Sequence, residues 1–150
     1  MKKLDNTLII GIGNNTRQDD GLGWCFLDAL EKKGFNPENL VYKYQLMVED
    51  AEIISNYEKI IFIDANKTNL HNGFLMERIY ASNQVAFSTH AVPPNQILNL
   101  CETIYNKKPT AFVIKIQGYI WDIEIGLSEQ ATINLKKSIS FFIKSLNTFK

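Results

Sequence analysis

The sequence lacks both an excess of charge of either sign and any long hydrophobic run. Sixteen Lys and Arg residues balance sixteen Asp and Glu residues, and this balance gives no support for a nucleic-acid or membrane partner. No apolar run approaches the roughly 20 residues that a membrane-spanning helix needs. Internal repeats, low-complexity segments and linkers are also missing. We therefore expect one soluble domain over residues 1–150.

Cysteine is scarce as well, with only Cys25 and Cys101. The two are far apart and each lies in an apolar helical pattern, which favours buried free thiols in a reducing cytoplasm. Cys25 lies near a predicted helix start, so a nucleophilic role stays open, although no second feature supports it. The apolar residues after Asp5 lead straight into a glycine turn, as a strand does and a signal peptide does not. We expect a cytoplasmic protein.

The most informative stretch is the glycine-rich segment Gly11-Ile-Gly-Asn-Asn-Thr-Arg-Gln-Asp-Asp-Gly-Leu-Gly23, which lies between an apolar run and an amphipathic one. Its first two glycines match the start of the dinucleotide motif G-x-G-x-x-G. The sixth motif position is Thr16, however, and no acidic residue ends the second predicted strand, so the match is weak. The adjacent carboxylates Asp19 and Asp20 would repel a phosphate, and they suit a metal ion better.

Alternating strand and helix patterns predict a three-layer α/β/α fold with a five-stranded, mostly parallel sheet. The third strand is continuously apolar, as in a sheet covered on both faces. The connection to the fourth strand is too short for a helical crossover, so that strand is expected to be antiparallel. Strands are predicted at Thr7–Ile12, Leu40–Gln45, Lys59–Asp64, Gly73–Tyr80 and Ala111–Ile116, and helices at Gly21–Lys33, Glu49–Asn56, Asn95–Tyr105 and Glu129–Leu146. Ser128 is expected to cap the last helix.

Three candidate ligands converge on one edge of this predicted sheet. In such folds, ligands bind at the carboxyl ends of the strands. Asp20 follows the first strand, Asp64 ends the third, and His90 precedes the third long helix. Two carboxylates and one imidazole suit a divalent ion such as nickel or zinc. Taken singly, each has a structural explanation, and for Asp19 a helix cap is the favoured one. Together, the three favour a metal site.

With these residues, the chain resembles the hydrogenase maturation endopeptidases, which trim the C-terminus of nickel–iron hydrogenase large subunits. The resemblance is carried by four blocks that lie in order and span nearly the whole chain. They are Gly11-Ile-Gly-Asn14 with Asp19-Asp20-Gly-Leu-Gly23, then Ile60-Ile-Phe-Ile-Asp64-Ala65, then Ser88-Thr-His90 with Pro93-Pro-Asn-Gln-Ile-Leu98, and finally Ile116-Gln-Gly with Glu124-Ile-Gly126-Leu-Ser128.

The resemblance implies that Asp20, Asp64 and His90 contact the metal, and the two aspartates are predicted to be catalytic. The metal is expected to be nickel that is already loaded into the hydrogenase large-subunit precursor. Asn14, within the first block, and Arg17 beside the site are predicted to bind substrate, although Arg17 could equally be a solvated turn residue. The reaction implied is hydrolysis of one peptide bond, which releases the C-terminal extension.

Two mechanisms stay open at this point. The metal could polarise the carbonyl or acidify water, or a carboxylate could activate water while nickel positions the substrate. The second is favoured, because the chain has no H-E-x-x-H motif for a permanent zinc ion. Two other functions also remain, namely a nickel-dependent chaperone that binds the precursor without cutting it and a general metallopeptidase. The chain departs from the family pattern at Arg17-Gln18 and Gln45-Leu46, which bears on the choice of precursor.

Overall fold

The fold was taken from a computed structural model that describes residues 2–83 and 91–148. Five strands form one sheet in the order β2-β1-β3-β5-β4. All neighbouring pairs are parallel except β4 with β5, which is antiparallel. The strands are β1 (Thr7–Ile12), β2 (Leu40–Lys43), β3 (Lys59–Asn66), β4 (Phe74–Ile79) and β5 (Thr110–Gln117). The predicted α/β fold and its single antiparallel strand are confirmed.

Within the part of the chain that the structure describes, four α-helices cover the two faces of this sheet. They are α1 (Leu22–Lys32), α2 (Asp50–Ile54), α3 (Pro94–Tyr105) and α4 (Glu129–Thr148). Helices α1 and α4 pack on one face, while α2 and α3 pack on the other. No helix in the described part of the chain combines the length and the apolar character needed to cross a membrane.

The strand periodicity divides the core in two. Ile9 and Ile61 face the α1/α4 layer, where the rings of Phe26 and Phe142 meet edge to face at 5.6 Å. The alternate residues of the same strands face the α2/α3 layer, where Phe62 is fully buried. Because both faces of β1 and β3 are covered, these strands read as continuous apolar runs in the sequence.

The ends of the elements differ slightly from the predicted bounds. Strand β3 continues two residues past Asp64, because Asn66 still pairs with Gln117 of β5. Asp64, predicted to be the last residue of β3, is therefore the third residue from its end. The predicted cap of α4 is confirmed, since the Ala131 N–H donates to Ser128 Oγ at 3.2 Å.

Helix α1 lies unusually close to the sheet at its first turn. A Cβ added to Gly23 would lie 2.6 Å from the Ile12 carbonyl oxygen and 2.7 Å from that of Ile63. Only glycine allows this approach, which places the start of α1 directly over the carboxyl ends of β1 and β3. The residues just before α1 are thereby held at the edge where the candidate ligands were predicted to meet.

We expect Gly23→Ala to lower the free energy of unfolding by about 2 kcal/mol, because overpacking costs about 1–3 kcal/mol and exceeds the gain in helix propensity. Chemical denaturation would measure this loss. The exposed Glu31 on the same helix serves as the control, and Glu31→Ala should change the stability by less than about 0.5 kcal/mol. Equal stability of Gly23→Ala and the wild type would contradict the close approach.

Candidate active site

The loop between β1 and α1 is held in shape by its own hydrogen bonds. The Asn14 N–H donates to the Asp20 carbonyl oxygen at 3.0 Å, which closes the loop at its base. Asn14 Oδ1 accepts hydrogen bonds from the backbone N–H and the hydroxyl of Thr16, at 2.9 and 2.6 Å. The side-chain oxygen of Asn14, predicted to bind substrate, therefore builds the loop, which presents Asp20 at the sheet edge.

Asp19 is fully buried and does not cap α1, which corrects its favoured interpretation. Helix α1 begins after Gly21 without any side-chain cap. The Asp19 carboxylate instead accepts hydrogen bonds from the N–H groups of Tyr119, Ile120 and Ser128, and from the Ser128 hydroxyl, at 2.7–3.0 Å. It turns away from α1 because the segment after β5 offers these donors.

This contact ties the β1–α1 loop to residues 118–128, which follow β5. The backbone continues the tie, since the Asp19 N–H donates to the Ile120 carbonyl and the Gln18 N–H to the Glu124 carbonyl. A Cβ on Gly118 would lie 2.7 Å from the Asp19 Cβ, so this glycine makes room for the buried carboxylate. Two segments about 100 residues apart in sequence thus form one rim of the candidate site.

Asp64 lies on β3 beside a cavity of about 270 Å³. Burial raises the pKa of its carboxyl to about 7, and the negative charge of Asp20 acts in the same direction. The Ala65 N–H, which donates to Asp64 Oδ1 at 2.9 Å, and the Lys115 ammonium oppose this rise. Near neutral pH, Asp64 can therefore either accept or donate a proton, as acid–base catalysis requires.

Asp20 is only partly buried and lies close enough to Asp64 to influence its ionisation. Burial raises the pKa of Asp20, while the positive charges of Arg17 and Lys67 lower it. The structure thus brings the two predicted carboxylates to the same edge. Their predicted roles in catalysis and metal contact stay predictions.

Two further predicted site residues are His90 and Arg17. His90 lies outside the described residues. Within residues 2–83 and 91–148, no three His, Cys, Asp or Glu side chains form a group that could hold a metal ion. Arg17 is exposed, and its backbone bridges to Glu124. Its charge acts on Asp20, so its predicted contact with substrate remains a hypothesis.

Sequence reasoning missed two lysines near the carboxylates. Lys67 directly follows β3, and its ammonium lies 5.2 Å from the centroid of the Trp121 ring. Lys115 pairs in register with Asp64 on the neighbouring strand and lines the same cavity. The sequence could have indicated Lys115, because it is the one charged residue in the otherwise apolar run Ala111–Ile116. It could not have indicated Lys67, since that residue lies in a polar turn.

Comparison with known proteins identifies the class to which this fold and site belong. No protein-family model matches the chain. A protein of Methanocaldococcus jannaschii named as a hydrogenase maturation protease is 31% identical over 157 residues, covering 95% of this chain and 97% of the relative. The chain therefore belongs to the hydrogenase maturation protease family. This finding confirms the predicted resemblance and the prediction that the protein is a peptidase.

Solved structures support the fold. The hydrogenase maturating endopeptidase HybD from Escherichia coli superposes with a TM-score of 0.73 at 17% identity, covering 99% of this chain and 93% of that one. The [NiFe] hydrogenase maturation protease HycI from Thermococcus kodakarensis gives 0.70 at 20% identity, covering 94% and 92%. The fold is thus that of known maturation endopeptidases.

The buried contact of Asp19 predicts a structural phenotype. We expect Asp19→Asn to lower the free energy of unfolding by about 3 kcal/mol, because the amide presents its own donors to buried N–H groups and removes charge-assisted hydrogen bonds. Urea denaturation would measure the loss. Asp122→Asn, an exposed change in the segment to which Asp19 binds, is the matched control and should have little effect. Equal effects of the two changes would show that the tie is unimportant.

The raised pKa of Asp64 predicts a pH-dependent effect on stability. The unfolded residue ionises near pH 4, whereas the folded one ionises near 7. Between these values the folded protein binds more protons than the unfolded chain, so Asp64 makes the free energy of unfolding fall as the pH rises. Asp64→Asn removes this loss.

We therefore expect the stability of Asp64→Asn to rise relative to the wild type between about pH 4 and pH 7. Denaturation curves over this pH range, recorded with a chelator present, provide the measurement. Asp5→Asn, which replaces an exposed carboxyl, is the matched control. A stability difference that does not change with pH for Asp64→Asn would mean that its carboxyl ionises as it does in water.

Proposed function

We propose that this protein hydrolyses one peptide bond in a nickel-loaded hydrogenase large-subunit precursor and releases its C-terminal extension. One observation supports the proposal: in a chain of this family, the buried carboxyl of Asp64 lines a cavity near the carboxyl end of β3, and the charge of Asp20 acts on it. The names of its relatives support a hydrogenase precursor as the substrate. The two unpaired cysteines are consistent with action in a reducing cytoplasm.

In this proposal, nickel arrives as part of the substrate. Asp20, Asp64 and His90 supply oxygen and nitrogen ligands that complete the coordination of the ion in the precursor. The contact brings the scissile peptide bond to the sheet edge and holds it there, which is catalysis by positioning. The positive charge of the ion also favours the ionised form of both carboxylates while the precursor is bound.

The chemical step is assigned to the carboxylates. An ionised Asp64 accepts a proton from a water molecule as that water attacks the scissile carbonyl carbon. The protonated carboxyl then donates the proton to the leaving nitrogen as the C–N bond breaks, so that one water is consumed and two chain ends form. Burial of Asp64 supports this role, because it raises the pKa of the carboxyl and so makes the carboxylate a stronger base than an exposed one.

Arg17 and Lys67 are proposed to stabilise the site before the precursor binds. Their charges act on Asp20, and together with Lys115 they offset the repulsion between the two carboxylates. Lys67 is held by its contact with the Trp121 ring, on the segment that Asp19 secures. Arg17 is additionally proposed to bind a carbonyl or carboxylate oxygen of the precursor, because its side chain is exposed beside the site.

The catalytic assignment is tested by Asp20→Asn and Asp64→Asn. Both variants should remain folded, because neither change removes apolar surface from the core, and both should lose at least about 100-fold in processing rate. Asp64→Asn removes the acid–base group, and Asp20→Asn removes a nickel contact that positions the scissile bond. Gel electrophoresis of the nickel-loaded precursor over time gives the rate. Asp122→Asn serves as the control and should process normally. Normal processing by folded Asp64→Asn would contradict its assignment.

Dependence on nickel separates this function from a general metallopeptidase. We expect wild-type protein to cleave the nickel-loaded precursor and to leave the nickel-free precursor intact, with zinc failing to replace nickel. His90→Ala should weaken capture of the loaded precursor far more than capture of the nickel-free form. Pull-down and cleavage assays on both forms measure these effects. Equal cleavage of both would defeat the nickel-recognition hypothesis, and capture without cleavage would indicate a chaperone.

A further inference from the structure

Lys115 lies next to the candidate catalytic carboxylate on the same face of the sheet. It pairs in register with Asp64 across the parallel strands β5 and β3, so that the two side chains share a face. Two residues earlier on each strand, Phe62 of β3 and Val113 of β5 lie on the same face of the sheet and are buried under α2 and α3. Asp64 and Lys115 are thus the first residues on this face beyond that core.

A groove leads from Asp64 past Lys115 to the outer strand of the sheet. The cavity of about 270 Å³ at Asp64 shares Pro94, Val113 and Lys115 with a second cavity of about 560 Å³. The second cavity continues along β4, where it is lined by residues 77–80. Its volume lies within the range of known ligand sites, about 300–1,000 Å³. Lys115 stands where the two cavities join.

The ammonium group of Lys115 is available to a ligand in this groove. Its Nζ lies 3.4 Å from Glu77 Oε1, but both side chains are exposed, by 40% and 44% respectively. An exposed ion pair of this kind contributes little to stability and exchanges readily. A lysine ammonium can donate three hydrogen bonds, so Lys115 can bind Glu77 and still donate to an oxygen of a bound chain.

The position and length of the groove match those of a short peptide segment bound next to Asp64. A peptide bond held at Asp64 leaves a chain that must depart from the site on both sides of the bond. The groove opens directly from Asp64 and crosses two strand spacings, about 10 Å, which an extended chain of about three residues would span. A short extension is therefore long enough to reach β4.

We propose that this groove holds the C-terminal extension of the precursor, and that Lys115 binds a backbone carbonyl or carboxylate oxygen of that extension. The proposal rests on the function proposed above, in which the peptide bond is cut at Asp64. It assigns to β5 and β4 the recognition of the segment that is discarded. Lys115 is thus a residue that binds substrate and takes no part in proton transfer.

The test compares Lys115→Gln with wild-type protein on two nickel-loaded precursors, one with its full extension and one with the extension cut to a single residue. On the full extension, Lys115→Gln should raise KM about tenfold, the loss expected for one hydrogen bond to a charged group. Any change in kcat caused by loss of the Lys115 charge beside Asp64 should be the same for both precursors. On the shortened extension, the two proteins should have equal KM. Lys115→Arg should restore most of the affinity for the full extension.

Lys137→Gln is the matched control, because Lys137 is an exposed lysine of α4, on the opposite face of the sheet. It should leave KM unchanged for both precursors. An equal rise in KM for both precursors with Lys115→Gln would overturn the proposal, because a structural effect does not depend on the extension. An unchanged KM for both would overturn it as well.

Binding of a synthetic peptide with the sequence of the extension, followed by fluorescence anisotropy, separates this inference from the proposed function. Failure of wild-type protein to cleave any loaded precursor would defeat the proposed function alone. In that event the peptide still tests the groove, since weaker binding to Lys115→Gln than to Lys137→Gln supports it. Equal binding to the two variants overturns it.

Discussion

The arrangement of the site depends on one buried carboxylate that does no chemistry. Asp19 accepts hydrogen bonds from three backbone N–H groups and one hydroxyl, all contributed by residues 119–128. A buried carboxylate is costly unless hydrogen bonds replace its hydration, and here they do. The loop before α1 is consequently fixed to the segment before α4. Because Asp20 is the next residue, this contact also fixes the position of its backbone.

The two adjacent aspartates therefore divide the work. Asp19 has a full set of hydrogen-bond donors and is inaccessible, whereas Asp20 is partly exposed and interacts electrostatically with Arg17, Lys67 and Asp64. Asp19 stabilises the loop, and Asp20 is accessible to a ligand. Asn14 has a structural role like that of Asp19, because its side-chain oxygen accepts hydrogen bonds that shape the loop carrying Asp20.

Burial and nearby charge act against each other at the sheet edge. Removing Asp64 from water raises its pKa, while Lys115 on the next strand lowers it. A parallel sheet makes such a pair possible, since neighbouring strands place residues in register on one face. The site is thus a small set of charges set at the end of an apolar layer. Its properties follow from where the core under α2 and α3 ends.

The fold could be predicted from the sequence because each element depends on local patterns. Apolar runs defined the strands, period-3.6 patterns defined the helices, and Ser128 gave the last helix its cap. The ends of strands were less certain, since β3 continues to Asn66 only through its pairing with β5. Pairing is a contact between distant residues, so the sequence of one strand does not reveal where it stops.

By itself the sequence determined the α/β class, the antiparallel fourth strand and the placement of Asp20 after β1 and of Asp64 near the end of β3. Only the tertiary structure decided what each polar residue does there. In the folded protein, Asp19 does not cap a helix but binds residues 119–128, about 100 positions later in the chain. The fold also places Lys115 beside Asp64. The physical reason is that periodicity reports which side of an element is buried, whereas a carboxylate's role depends on which donors and charges the folded chain brings to it.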